Sequence, residues 1–276
     1  KTAKHLSSPI AYINMVGSQD EIIYDGQSFI LDKKGKLIHK LLSFEEDENV
    51  FDLETSEVWN KRIIKESETE QLRKALVLGI KDFTQKTGLT KVHLGLSGGI
   101  DSAVVAVLAA DAVGPSNIKL FALPTKFNLN ESFESAERLA KNIGVKLDQI
   151  NIQSTFDHLK NIVDDSFGIK EFGLIHENLQ SRIRGLLLMS YSNFSNSLLL
   201  TTGNKSEYAT GYATLYGDMC GGLAVIGDLT KKGVYDIAKL YNKESEIIPS
   251  FILSRPPSAE LRPDQKDQDS LPEYSL

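Results

Sequence analysis

Residues 95–102 read Gly95-Leu96-Ser97-Gly98-Gly99-Ile100-Asp101-Ser102, and their reading decides the fold. They follow a short apolar run, Val92-His93-Leu94-Gly95-Leu96, which suits an inner strand. They precede Ala103-Val104-Val105-Ala106-Val107-Leu108-Ala109-Ala110, an Ala-rich run too long for an ordinary strand. A strand entering a helix through Ser97-Gly98-Gly99 leaves free backbone N–H groups at the helix N-terminus. With the helix dipole, those groups favour an anion. Gly98 and Gly99 have no Cβ, so a phosphate can approach the backbone and positive φ is allowed. Ser97 and Ser102 add hydroxyl donors. Asp101 sets a carboxylate beside the phosphates, which is electrostatically sound only with a cation such as Mg²⁺ between them. The plain alternative is a Gly-rich turn with Asp101 as a helix N-terminal charge. The stretch has neither a Gly-Lys-Ser/Thr end nor a Gly-x-Gly-x-x-Gly pattern.

Outward from this loop the pattern alternates. Strand 92–96 is followed by helix 100–112, and strand 117–123 by helix 131–143, with Asn130 as its cap and Gly144 past its end. Strand 145–151 leads to helical runs near 155–165 and 177–194. Strand 198–201 and helix 231–241, capped at Asp228-Leu229-Thr230, complete the series. This alternation predicts an α/β fold, a doubly wound and mostly parallel sheet flanked by helices. Ligands sit at the carboxyl ends of such strands. Residues 10–44 read instead as short strands and turns, 11–16, 21–24, 28–31 and 37–39. Residues 45–62 are acidic and aperiodic. The expected organisation is a small β-rich part over 1–53, a linker over 54–62 and the α/β domain over 63–276. Within that domain, polar and Pro-rich residues 255–274 are expected to form a mobile loop.

The chain has 276 residues and a formal net charge of −6. Hydrophobic residues make up 41% and charged residues 25%, ordinary for a globular protein. The acidic balance argues against a nucleic-acid surface. The single Cys220 rules out an intramolecular disulfide and suits a reducing cytoplasm. No apolar run reaches the roughly 18–20 residues of a membrane span.

Three further stretches carry chemistry. Thr201-Thr202-Gly203-Asn204-Lys205-Ser206-Glu207 follows a buried strand. Glu207 there is either a helix-start charge or a second carboxylate for Mg²⁺. Glu177-Asn178-Leu179-Gln180-Ser181-Arg182-Ile183-Arg184 places Asn178 and Arg182 four apart on one helix face. Arg182 could grip a phosphate or carboxylate, and a solvated face is the plain reading. Lys231, after Asp228-Leu229-Thr230, opposes the dipole at a helix start, which a nearby anion would explain.

The loop at 95–102 resembles the pyrophosphate-binding loop of the N-type ATP pyrophosphatases, whose fold is adenine nucleotide alpha hydrolase-like. Taken in order with the 177–182, 201–207 and 227–231 stretches and Arg255 through Asp269, it looks like NAD synthetase over about 63–274. Residues 9–53 resemble the end of the nitrilase-like glutaminase domain fused ahead of the synthetase in glutamine-dependent NAD synthetases. That family's glutaminase nucleophile is a cysteine upstream of such a tail. Residues 1–60 hold no Cys, so this chain is not expected to hydrolyse glutamine as it stands. The synthetase part also reads as short at its C-terminus.

The resemblance implies a ligase acting in NAD biosynthesis. It would amidate deamido-NAD (nicotinic acid adenine dinucleotide) through an acyl-adenylate, releasing AMP and pyrophosphate. The nitrogen would come from ammonia, or from glutamine in a full-length enzyme. By matching positions, Gly95, Leu96, Ser97, Gly98, Gly99, Ile100, Asp101 and Ser102 would bind ATP, with Thr202, Lys231 and Ser258. Asp101 and Glu207 would hold Mg²⁺ and, with Lys231, form the catalytic set. Asn178, Arg182 and Glu207 would contact deamido-NAD, while Leu215 stands where relatives can carry a substrate-contacting lysine. The resemblance further implies a homodimer or higher homo-oligomer in the cytoplasm. Two alternatives stay open: another ATP pyrophosphatase such as GMP synthetase, and a non-catalytic nucleotide-binding fragment.

Overall fold

The structure, a computed structural model, describes residues 1–52, 54, 55, 57–263, 265 and 267–269. The chain divides into two compact units, Lys1–Phe83 and Thr84–Leu276. The boundary expected at 53–54 falls beside Leu53 and Ser56, which lie outside the described residues.

The first unit opens with α1 (Thr2–Leu6), then β1 (Ile10–Tyr12), β2 (Val16–Gln19), β3 (Ile22–Asp25), β4 (Phe29–Leu31) and β5 (Leu37–Lys40). The strand expected at 11–16 is two strands in different sheets. β1 joins the antiparallel sheet β1-β4-β5, and β2 pairs antiparallel with β3. The polar residue between them explains the break. Asn14 gives its amide to Asp25 at 2.9 Å, and its backbone N–H donates to Ser28 Oγ. The acidic stretch 45–62 makes its own contacts: Asp47 accepts from Leu42 N and pairs with Arg62. α2 (Glu68–Thr87) begins where Ser67 accepts from the backbone of Glu70.

The second unit continues with β6 (Val92–Gly95), α3 (Ile100–Val113), β7 (Ile118–Ala122), α4 (Asn130–Asn142), β8 (Leu147–Gln149), α5 (Gln153–Phe167), α6 (Leu174–Ser195), β9 (Leu198–Thr201), α7 (Lys205–Thr210), β10 (Leu223–Ala224), α8 (Lys231–Tyr241) and α9 (Ser250–Ser254). Its five strands lie in the order β10-β9-β6-β7-β8, and every neighbouring pair is parallel. The doubly wound α/β sheet is therefore present. β10 was not anticipated: a two-residue strand is below the length at which a period can show. Asn130 is the first residue of α4 and not its cap, because Leu129 holds the extended cap conformation.

The core explains the helix that follows the Gly-rich loop. Residues from Ile100 to Ala109 are buried on every side except around Asp101. Such a helix has no solvent face. α3 packs against β6 and β7 on one side and against α8 and α9 on the other. α6 packs on β6 and β9, with α5 beside it. Chain order reverses at β6: β7 and β8 follow on one side, β9 and β10 on the other. The carboxyl ends of β6 and β9 therefore meet at the switch point where open α/β sheets bind ligands.

Candidate active site

The loop leaving β6 turns on one glycine, at a position where any side chain would be strained. Gly98 has φ +85°, and a Cβ there would lie 2.2 Å from the Ser132 carbonyl oxygen. Ser97 and Ser102 tie the loop internally. The Ser97 and Ser102 hydroxyls are 3.1 Å apart, Gly99 N donates to Ser97 Oγ at 3.2 Å, and Ser102 Oγ donates to Gly99 O at 3.1 Å. The serine hydroxyls thus hold the loop open at the start of α3.

The loop leaving β9 is fixed by Asn204, which is fully buried. Its side chain accepts from Glu207 N at 3.1 Å, and its own N–H donates to Glu207 Oε2 at 3.0 Å. This reciprocal cap begins α7. The Asn204 amide also donates to Asp101 Oδ1 at 2.9 Å. One asparagine therefore sets both carboxylates. Between them stands Lys231, the first residue of α8, with its side chain 3% exposed. Its Nζ lies 2.6 Å from Asp101 Oδ2 and 3.5 Å from Glu207 Oε1. Burial opposes the lysine's charge, but the Asp101 and Glu207 charges outweigh it and raise its pKa. Burial, then the Asp101 charge, pushes the Glu207 carboxyl up to about 7.

These groups line a cavity of about 280 Å³. Of the residues expected to bind ATP, Gly95, Leu96, Ser97, Gly99, Ile100, Asp101, Ser102, Thr202, Lys231 and Ser258 line it, together with Glu207. Gly98 is the turn behind the lining and meets Ser132. The Ser258 hydroxyl donates to Gln265 O at 2.6 Å, within its own segment.

Asn178 and Arg182 are not in the cavity lining. Asn178 Oδ1 accepts from Thr214 Oγ1 at 2.8 Å, and the exposed Arg182 donates to Leu215 O at 3.3 Å. Two residues further along the helix is Arg184, which does line the cavity. It donates to Leu123 O at 3.0 Å, and burial lowers its guanidinium to about 10, still charged at neutral pH. Arg184 lies four positions from Gln180 and from Leu188, and those two mark the inward face of α6. That spacing was the signal for choosing Arg184.

A segment expected to be a mobile loop closes the cavity. Positions 264, 266 and 270–274 of that stretch lie outside the described residues. The described part is held by Glu260, 6% exposed, which accepts from Ser132 Oγ at 2.8 Å and Asn128 Nδ2 at 2.9 Å and pairs with Arg255 at 2.6 Å. Gln180 donates to Leu261 O at 2.7 Å. Asp267, 3% exposed, adds a further carboxylate to the lining. Glu260, Asn128 and Ser132 carry no sequence signal as site residues, since no local pattern joins positions more than a hundred residues apart.

The NAD synthase family model matches residues 72–276, about three quarters of the chain and all of the cavity. The chain belongs to the NAD synthase family. The glutamine-dependent NAD(+) synthetase of Synechocystis sp. is 44% identical over 279 residues, covering 100% of this chain and 50% of that protein. A solved glutamine-dependent NAD+ synthetase from Acinetobacter baumannii, in complex with ADP, aligns with a TM-score of 0.87 at 36% identity. It covers 94% of this chain and 50% of the other. The NH3-dependent NAD synthetase from Campylobacter jejuni aligns with a TM-score of 0.60 at 31% identity, covering 68% of this chain and 77% of the other. The chain spans about half the length of the curated relatives it matches. Among the described residues, no helix is long and apolar enough to cross a membrane.

Proposed function

We propose that this chain catalyses the ATP-dependent amidation of deamido-NAD to NAD. The observation that carries this reading is the joint setting of Asp101 and Glu207 by Asn204, at the Gly-rich turn into α3, where a helix N-terminus favours an anion. The deamido-NAD carboxylate attacks the α-phosphate of ATP, forming an acyl-adenylate and releasing pyrophosphate. Ammonia then displaces AMP. In a full-length protein that ammonia would be drawn from glutamine. A carboxylate is a poor acyl donor, and adenylation supplies its leaving group. The protein's task is positioning and charge stabilisation.

The N-terminal amides of α3 and the Lys231 ammonium bear on the phosphates, and Thr202 supplies a hydroxyl beside them. Asp101 and Glu207 fit Mg²⁺: both are hard oxygen donors facing one position, and Mg²⁺ takes one or two carboxylates plus phosphates. When bound, it would neutralise charge on the departing pyrophosphate. The Glu260-anchored segment excludes water that would hydrolyse the adenylate.

A cavity of about 280 Å³ is too small for ATP and a dinucleotide together, since about 300–1,000 Å³ suits a single drug-sized ligand. Part of deamido-NAD therefore extends beyond it, and Asn178 and Arg182 remain our assignment for that part. The outer side of α6 and the turn near it expose Leu186 (63%), Phe194 (86%), Leu215 (63%) and Tyr216 (79%). These exposed apolar side chains are consistent with a homodimer or higher homo-oligomer, a state that sedimentation velocity would measure. We further place the reaction in the cytoplasm, where ATP and a reduced Cys220 belong together.

The test is NAD formation from ATP, Mg²⁺, deamido-NAD and ammonium, read by a coupled dehydrogenase. Product that depends on all four components is expected. Pyrophosphate release with xanthosine monophosphate and none with deamido-NAD would overturn the assignment in favour of the GMP synthetase alternative.

A further inference from the structure

The reading of Asp101 and Glu207 as metal ligands, on which this inference rests, leaves Lys231 standing in the same space. Its Nζ is 2.6 Å from one carboxylate and 3.5 Å from the other, with its side chain 3% exposed. A divalent ion held by both carboxylates would compete with the ammonium for the space between them.

We propose that Lys231 is a resident cation. It balances Asp101 and Glu207 while the cavity is empty, and gives up that place to the divalent ion when its ammonium turns to a phosphate of ATP.

Three observations support the exchange. First, the position of Lys231 needs an explanation. A cation at the first residue of a helix opposes the dipole, and Asp101 and Glu207 are the compensation. Second, the backbone is fixed while the side chain is long. Lys231 N donates to Ser206 Oγ at 3.1 Å, and Thr230 caps α8 by accepting from Gly233 N. The four-carbon stem can therefore redirect Nζ without moving the helix. Third, the local charge favours it. The Asp101 and Glu207 side chains are mostly buried, 17% and 18% exposed, and both face the same ammonium, so a cation between them offsets their repulsion. With ATP and a divalent ion present, the surplus negative charge moves to the phosphates, where the ammonium is then needed.

The consequence is a coupling between ligands. A divalent ion alone must displace Lys231 with no phosphate to receive it, so it binds weakly. A phosphate chain draws the ammonium away and frees the carboxylates. Each ligand therefore strengthens the other by the same factor.

The experiment uses the full chain and Mn²⁺, followed by the electron paramagnetic resonance of the free ion. Wild type is compared with Lys231→Met and Lys231→Gln, all without nucleotide. Lys231→Gln retains a polar group between the carboxylates, so one test remains if the methionine variant does not fold. Both variants are expected to bind Mn²⁺ about tenfold or more tightly than wild type, since a competing charge has been removed. Equal or weaker binding by the folded variants would overturn the inference. Asp101→Asn separates this outcome from failure of the metal assignment. If it leaves Mn²⁺ binding in the presence of α,β-methylene-ATP unchanged, the metal site is wrong and the exchange falls with it. If Asp101→Asn weakens that binding and the lysine variants show no gain, only the exchange is wrong.

Discussion

Two parts of the cavity wall are made in opposite ways. The turns after β6 and β9 are local structures. Gly98 takes its positive φ, the two serines tie their own loop, and Asn204 and Glu207 cap each other three residues apart. Among its described residues, the strap from Arg255 to Asp269 holds no regular element beyond a short turn at Asp267–Asp269. It is held by Glu260 through Asn128, Ser132 and Arg255, and by Gln180 through Leu261 O. The first kind of wall is rigid because strands and helix ends impose it. The second depends on a few side-chain bonds reaching across the fold, so it can open without disturbing the sheet. Substrate must enter and leave, and chemistry must stay dry; the division of labour serves both needs.

Substitutions can break this contrast, and the largest effect belongs to the rigid wall. Asp101→Asn removes a carboxylate from among phosphate charges. It is expected to cost about 3 kcal/mol or more in kcat/KM for NAD formation. The unfolding midpoint should fall as well, because the buried Lys231 ammonium loses its 2.6 Å partner. Gly98→Ala must move the Ser132 backbone and adopt an unfavourable φ. A loss of about 2–4 kcal/mol in urea unfolding is expected, with ATP binding lost in calorimetry. Glu260→Ala should act on the strap alone, at about 1–3 kcal/mol. Faster amide exchange confined to residues 255–269 and a raised KM are the signature. Exchange that also rises in α3 or β6 would show that the two walls are not separable.

A smaller effect sharpens the rigid wall's electrostatics. Burial, with Asp101 beside it, raises the folded pKa of Glu207 from 4.5 to about 7. Between those values the folded chain holds a proton that the unfolded chain has lost. The stability contributed by that protonated group is complete below about pH 4.5 and disappears as pH rises through about 7. In metal-free and nucleotide-free protein, Glu207→Gln should gain on wild type over that window, as followed by thermal unfolding. A constant gap between the two would contradict the buried setting of Glu207. The smallest effect lies far from both walls. Lys33→Ala, at an exposed turn of the first unit, should change neither activity nor unfolding by more than about 0.5 kcal/mol.

The same contrast explains what could be read from sequence. The β6–α3 turn was legible because its chemistry is contiguous: strand, glycines, carboxylate and helix lie within a dozen residues. The doubly wound sheet followed from alternation at strand and helix periods, although β10 is too short to show one. On α6 the spacing singles out Asn178 and Arg182, and neither is among the residues that line the cavity, whereas Arg184 is. Arg184 shares the inward face with Gln180 and Leu188, so periodicity carried the information and the polar pair drew attention from it. Glu260 could not have been found this way. Its partners lie 128 and 132 positions earlier, and only the fold brings them to it.

The central claim is that the ends of β6 and β9 form one site for ATP and a divalent ion. A crystal structure of the chain with Mg²⁺ and α,β-methylene-ATP tests it most directly. The account predicts phosphates on the N-terminal amides of α3, the metal between Asp101 and Glu207, and Lys231 Nζ turned toward a phosphate. A nucleotide bound elsewhere, or a metal that touches neither carboxylate, would contradict it.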